Sequence, residues 1–98
     1  MKYAVYFEDN DEFAHVRPKL MPEHLRFLQD HADAIEAAGP MKNSASGEPA
    51  GGLWIVEAEN PDAVRALVET DPFWPTGLRK NVHILEWTQV FAHGQRLV

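Results

Sequence analysis

The feature that narrows the fold most is a strand with apolar residues on both of its faces. Between Asn81 and Phe91, Val82, Ile84 and Val90 fall on one parity, and Leu85, Trp87 and Phe91 fall on the other. Successive side chains of a strand point to opposite faces, so both faces of this one need cover. Helices from the same chain cover only one of them. The other calls for a partner, most simply the same face of a second copy.

The rest of the chain supplies the layers. Lys2 to Glu8 reads as a first strand, stopped by the turn-forming Asp9-Asn10-Asp11. Pro22 suits the first position of a helix, and Leu25, Leu28, Ala32 and Ile35 recur at the spacing of a buried helical stripe. The spacing predicts a helix from Pro22 to Ala38, ended by Gly39-Pro40, with His24, Phe27 and His31 in a row beside the stripe. A short strand follows Gly39, and Gly51-Gly52 opens a third strand, Leu53 to Ala58. Its run Leu53-Trp54-Ile55-Val56 predicts burial on both faces. Asn60-Pro61 reads as an N-cap and a helix-starting proline. This second helix carries Val64, Leu67 and Val68 and stops near Asp71, because Pro72 disfavours a helical conformation in the residue before it. With the Asn81–Phe91 strand the order is β-α-β-β-α-β. That is a ferredoxin-like α+β fold, a four-stranded antiparallel sheet with both helices on one face. No internal repeat or linker interrupts it, so residues 1–98 form one expected domain, with His93 to Val98 as a short tail.

Composition removes several functions. Fifteen Asp and Glu against nine Lys and Arg give a net charge of −6, which repels a phosphate backbone, and nucleic acid is not an expected partner. The third strand also lacks the basic start and paired aromatics of RNA-binding modules of this topology. Without cysteine there is no disulfide, thiolate nucleophile or Cys-based metal site. No apolar run is long enough for a signal peptide or a bilayer span, so a cytoplasmic protein without membrane attachment is expected. Five histidines are present, but His24 and His31 are separated by about 10.5 Å of helical rise and no compact ligand set exists, so neither metal nor other cofactor is expected. Ser44 and Ser46 lack the setting of an activated nucleophile, and the glycines form no phosphate-binding pattern.

His24 with Asp71 is the pair with the most chemistry. The topology places the start of the first helix near the end of the second, which brings the two side chains within reach. A carboxylate bonded to one imidazole nitrogen fixes the tautomer and leaves the other nitrogen free to move a proton. Phe73 and Trp74, with Leu78, can wall an apolar substrate pocket beside Asp71, and Arg17 can hold a small anionic substrate through its forked guanidinium. Each residue also has a structural reading. Asp71 can hold the turn at Pro72, the aromatics can be core or partner contacts, and Arg17 can pair with one of the many acids.

These residues, in order, resemble the YCII-related (YciI-like) domain family. The resemblance runs from Met1-Lys2-Tyr3 to Val90-Phe91. It rests on Arg17, Pro22-Glu23-His24-Leu25, Ala38-Gly39-Pro40-Met41, Gly51-Gly52 and Ile55-Val56-Glu57-Ala58. Asp71-Pro72-Phe73, Gly77-Leu78 and Val82-His83-Ile84 with Trp87 complete it. It implies a dimeric α+β barrel, in which two sheets pack face to face as a homodimer. It also implies an active site whose His and Asp fall on His24 and Asp71. The family's role is mostly undefined, and related chemistry is elimination or isomerisation of small aromatic or lactone compounds. The expected function is therefore acid/base proton transfer on a small organic molecule. The alternative is a non-catalytic ligand-binding or assembly module, in which the dyad ties the helix ends together. Trp74-Pro75-Thr76 is bulkier than the resemblance leads one to expect, which narrows any pocket there.

Overall fold

Alternation sets the layers. In a computed structural model that describes all 98 residues, β1 (Lys2–Asp9) buries Tyr3, Val5 and Phe7 and leaves the residues between them partly exposed. β1 pairs with β3 (Pro49–Glu57) on one side and β4 (Arg79–Glu86) on the other. β2 (Ile35–Lys42) lies beyond β3, giving an antiparallel sheet of order β2-β3-β1-β4. The register Val5↔Trp54, Val5↔Ile84 and Phe7↔Val82 puts these side chains on one face with Val56. Against that face pack Phe27 of α1 (Val16–Asp30) and Val64 and Val68 of α2 (Pro61–Thr70). The βαββαβ order and the ferredoxin-like architecture are those expected from the sequence.

α2 follows its signals closely. The Asn60 side chain accepts from the Ala63 N–H at 2.8 Å, Pro61 opens the helix, and Asp71 is extended before Pro72. α1 does not. It begins at Val16, so Pro22 lies inside it, and it ends at Asp30 rather than Ala38. Pro22 has no N–H for the Pro18 carbonyl, a local cost of about 3 kcal/mol that the packing of the helix offsets. The His31 N–H closes onto the Phe27 and Leu28 carbonyls, and the chain then turns into β2. Ile35 is therefore the first residue of an edge strand and not part of a helical stripe, and Gly39-Pro40 lies within that strand. An edge strand tolerates proline because one side of its backbone has no ladder to feed. The row facing the sheet is His24–Phe27, while Leu25 is 51% exposed.

Two further expectations change. Trp54 and Val56 are buried on the helix side, but Leu53 and Ile55 are only half-buried on the outer side. β4 ends at Glu86, with the Trp87 N–H donating to the Lys2 carbonyl at 2.9 Å. Phe91 lies instead in β5 (Phe91–Ala92), which pairs with β6 (Gln95–Arg96). The turn between them has His93 at φ 53° and Gly94 at φ 77°, the paired positive values of a tight hairpin. On the outer face Leu85 and Trp87 are 56% and 43% exposed beside Ala4, Leu53 and Ile55. No helix is long and apolar enough to cross a membrane.

Gly51 fixes how β3 enters the sheet. It sits at φ +82°, and a Cβ there would lie 1.9 Å from the Phe7 carbonyl oxygen. Gly51→Ala is expected to cost more than about 2 kcal/mol, from left-handed strain and a backbone clash together. Urea unfolding of the variant beside the wild type measures this, and an unchanged midpoint contradicts it.

Candidate active site

His24 is reached through the middle of α1, as the ninth of its fifteen residues, and not through its first turn. The helix turns the ring onto the sheet, where it packs at a tilt of 35° against Phe73 with centroids 4.5 Å apart and lies 6.4 Å from the Trp54 ring. His24 Nδ1 is 2.9 Å from Asp71 Oδ1, and both residues are buried. Asp71 caps the C-terminus of α2, and its Oδ1 also accepts from the Phe73 N–H at 3.3 Å. The carboxylate thus holds the turn and the imidazole at once.

Its second oxygen extends the network. Asp71 Oδ2 accepts from Arg79 Nη2 at 3.2 Å, and Arg79 Nη1 donates to Asp9 Oδ1 at 3.4 Å. Asp9 Oδ2 accepts from Arg17 Nε at 3.1 Å and from Arg17 Nη2. The series Asp71–Arg79–Asp9–Arg17 therefore alternates in charge, with the His24 imidazole bonded at its Asp71 end. The Arg79 guanidinium lies over the Phe7 ring at 4.1 Å, with 3% of its side chain exposed.

Burial alone would push the Asp71 carboxyl up. The hydrogen bond and charge of His24, the Phe73 N–H and the Arg79 guanidinium together outweigh it and hold the carboxyl below its ordinary value. Burial likewise pulls Arg79 below its ordinary value, against the opposing pull of Asp71 and Asp9. An ionised carboxylate can only accept, so the proton of the His24–Asp71 bond belongs to Nδ1. His24 Nε2 makes no hydrogen bond within the chain and is not among the sealed, unpaired atoms, so it keeps contact with solvent.

His24 lines a cavity of about 70 Å³ between α1, β2 and the helix side of β3, together with Arg17, Met21, Leu28, Trp54, Arg79 and others. Arg17 and His24 are thus brought to one cleft. Phe73 and Trp74, expected to wall it, lie elsewhere. Phe73 is fully buried behind the imidazole, and Trp74 packs on the core under the Arg65 guanidinium at 5.1 Å. The aromatic wall is Trp54, because the open side of the ring faces β2 and β3 rather than the loop after α2. Asp9, Trp54 and Arg79 were not singled out by the sequence reading. Arg79 carries no periodic signal, and only the sheet brings these three strands to one place.

Known proteins agree with this architecture. Residues 1–88 match the YCII-related domain. The chain belongs to the YCII-related family. It is 30% identical to protein YciI of Escherichia coli O6:H1 and of Shigella flexneri, over 93% of this chain and the whole of each relative. Among solved structures it is similar to 5-chloro-2-hydroxyhydroquinone dehydrochlorinase (TftG) of Burkholderia phenoliruptrix AC1100, in complex with 2,5-dihydroxybenzoquinone. That likeness has a TM-score of 0.78 at 29% identity and covers 90% of this chain and 94% of the other.

The buried charges make stability depend on pH. Because the Asp71 carboxyl titrates below its unfolded value of 3.8, the stability it contributes is fully present above that pH and is lost as pH falls through the folded value. Asp71→Asn is expected to flatten this acid limb and, by leaving Arg79 without a buried counter-charge, to cost about 3 kcal/mol at neutral pH. Urea midpoints measured from pH 2 to 7 check both parts.

Proposed function

We propose that this chain is an enzyme that moves a proton during elimination on a small hydroxylated ring compound. The observation that carries the reading is the posture of His24. Asp71 pins its Nδ1 at 2.9 Å, while Nε2 is unbonded and the residue lines the cavity. In the neutral ring that nitrogen offers a lone pair to a substrate proton, and Asp71 stabilises the imidazolium that results. Phe73 backs the ring and Trp54 walls the cleft, so the transfer takes place beside apolar surface. Arg17 anchors an anionic substrate oxygen.

The structural relative supports the elimination class, since its name denotes removal of hydrogen chloride from a hydroxylated ring. In such a step, on the keto tautomer whose chlorine-bearing carbon already carries hydrogen, the base takes a hydroxyl proton, the freed O–H pair forms a ring C=O as the double bond shifts, and chlorine leaves with the C–Cl pair as chloride. The cavity beside His24 is only about 70 Å³, against about 300–1,000 Å³ for ordinary ligand pockets. It admits the reacting edge of a ring. A groove of about 420 Å³, which shares Arg17 and Pro40 with it, takes the remainder. A second reading, a binding module without turnover, draws on the Phe73 N–H bond, which gives Asp71 a structural task of its own.

Chloride release from 5-chloro-2-hydroxyhydroquinone separates the two. The wild type is expected to release chloride, and His24→Gln to lower kcat by about 10²–10⁴-fold with its circular dichroism unchanged. No release by the wild type, or an unchanged rate in the variant, overturns the catalytic reading.

The outer sheet face belongs to the same proposal. A second copy packed on Leu53, Ile55, Leu85 and Trp87 would cover these side chains and complete the α+β barrel that the family resemblance implies. Light scattering is expected to give twice the chain mass of 11.1 kDa, and Leu85→Glu to halve it. A wild-type monomer at micromolar concentration contradicts the pairing.

A further inference from the structure

The cavity has an unusual floor. Gly52 lies inside β3, opposite Phe7, on the face that carries Trp54 and Val56. Unlike Gly51, it has an ordinary backbone conformation, and an added Cβ would meet no atom closer than the Gly39 carbonyl oxygen at 3.4 Å. Neither left-handed backbone nor a severe clash requires glycine here. The next atoms that Cβ would meet are Arg79 Nη1 at 3.7 Å and Arg17 Nη2 at 3.9 Å. Two guanidinium ends from α1 and β4 therefore converge over bare backbone. Glycine within a strand often marks the close approach of a ligand.

These groups also have donors to spare. Each guanidinium carries five N–H bonds. Arg17 gives two to Asp9, and Arg79 gives one to Asp9 and one to Asp71. Of their nitrogens, only Arg79 Nε is both sealed from solvent and unpaired. Arg17 and Arg79 both line the cavity with His24 and Gly52. Asp9 and Asp71 balance the two cations, so the cluster is neutral while the imidazole is neutral. Transfer of a hydroxyl proton to Nε2 leaves a negative oxygen in the same cavity, and the guanidinium ends supply charge-assisted donors for it.

We infer that Arg17 and Arg79, meeting over Gly52, form a site for an ionised substrate oxygen and select ring compounds with an acidic hydroxyl, the phenol and hydroxyquinone class. This rests on the proton-transfer reading for the origin of the charge. The site itself is tested by binding alone.

The test is an absorbance titration of the full chain with 2,5-dihydroxybenzoquinone, whose hydroxyls are vinylogous acids. The wild type is expected to bind it. Arg17→Gln and Gly52→Ala, each checked by circular dichroism, are expected to raise Kd at least tenfold. Arg17→Gln removes one guanidinium, and Gly52→Ala keeps both but fills the hollow between them. Hydroquinone, which has the same six-carbon ring with two fewer oxygens and is un-ionised at neutral pH, is expected to bind at least tenfold more weakly than 2,5-dihydroxybenzoquinone. Absence of wild-type binding, equal Kd values in folded variants, or no preference over hydroquinone each overturns the site. Chloride release is read separately. Binding with this pattern but without chloride release leaves the oxygen site standing and removes the elimination reading, while chloride release with indifferent variants does the reverse.

Discussion

The Asp71 carboxylate is the junction on which the rest of the structure depends. It closes the C-terminus of α2, accepts from the turn that follows, orients the α1 imidazole and neutralises the first side chain of β4. Both helices, the turn after α2 and the start of β4 meet at two oxygen atoms. A lone buried carboxylate is very costly, and three kinds of donor around it make the ionised form the stable one. Such a network is weak evidence for stability, because an apolar cluster of the same shape often does as well or better. Its position at the wall of a cleft, with one nitrogen left open, makes sense as equipment for moving protons.

Charge balance follows from the same arrangement. Arg79 bridges Asp71 and Asp9, and Asp9 bridges Arg79 and Arg17, so no ion in the series lacks a partner. In the proposed reaction a proton arriving on His24 would add one positive charge next to a carboxylate. The negative charge left on a substrate would face the outer end of the series, at Arg17. In that reaction the two changes would offset one another through fixed dipoles and ions, with little reorganisation as they develop.

The parts of this design that were legible in the sequence are those set by local chemistry. The Tyr- and Val-rich run closed by Asp9-Asn10-Asp11 marked β1, Asn60-Pro61 marked the start of α2, and Pro72 marked its end. The pair His24–Asp71 was legible because the topology puts one helix against the end of the other. The ends of α1 were not. Ile35 continues the helical spacing of Leu25 and Leu28, and only pairing with β3 draws it into a strand. Phe73 and Trp74 were misplaced because adjacency to Asp71 in sequence says nothing about which side of the imidazole is open. Arg79 was silent, and Gly52 read only as a turn residue opening a strand, for the opposite reason. Their meaning arises from three strands and a helix converging, a contact without periodicity.

Register connects the two faces of the sheet. In β3, Gly52 and Trp54 face the cleft, while Leu53 and Ile55 face outward toward the patch that includes Leu85. A slip of one residue would exchange the sets, putting leucine and isoleucine beside the guanidinium pair and tryptophan on the outer face. Gly51 prevents this. Its backbone fits tightly against the Phe7 carbonyl at a φ that other residues avoid, which locks the entry of β3 immediately before the cleft floor. The adjacent glycines thus do different work, the first setting which face each residue takes and the second keeping the floor clear. A substitution at Gly51 therefore disturbs the outer apolar face and the His24 cleft together, although it touches neither the imidazole nor the outer patch.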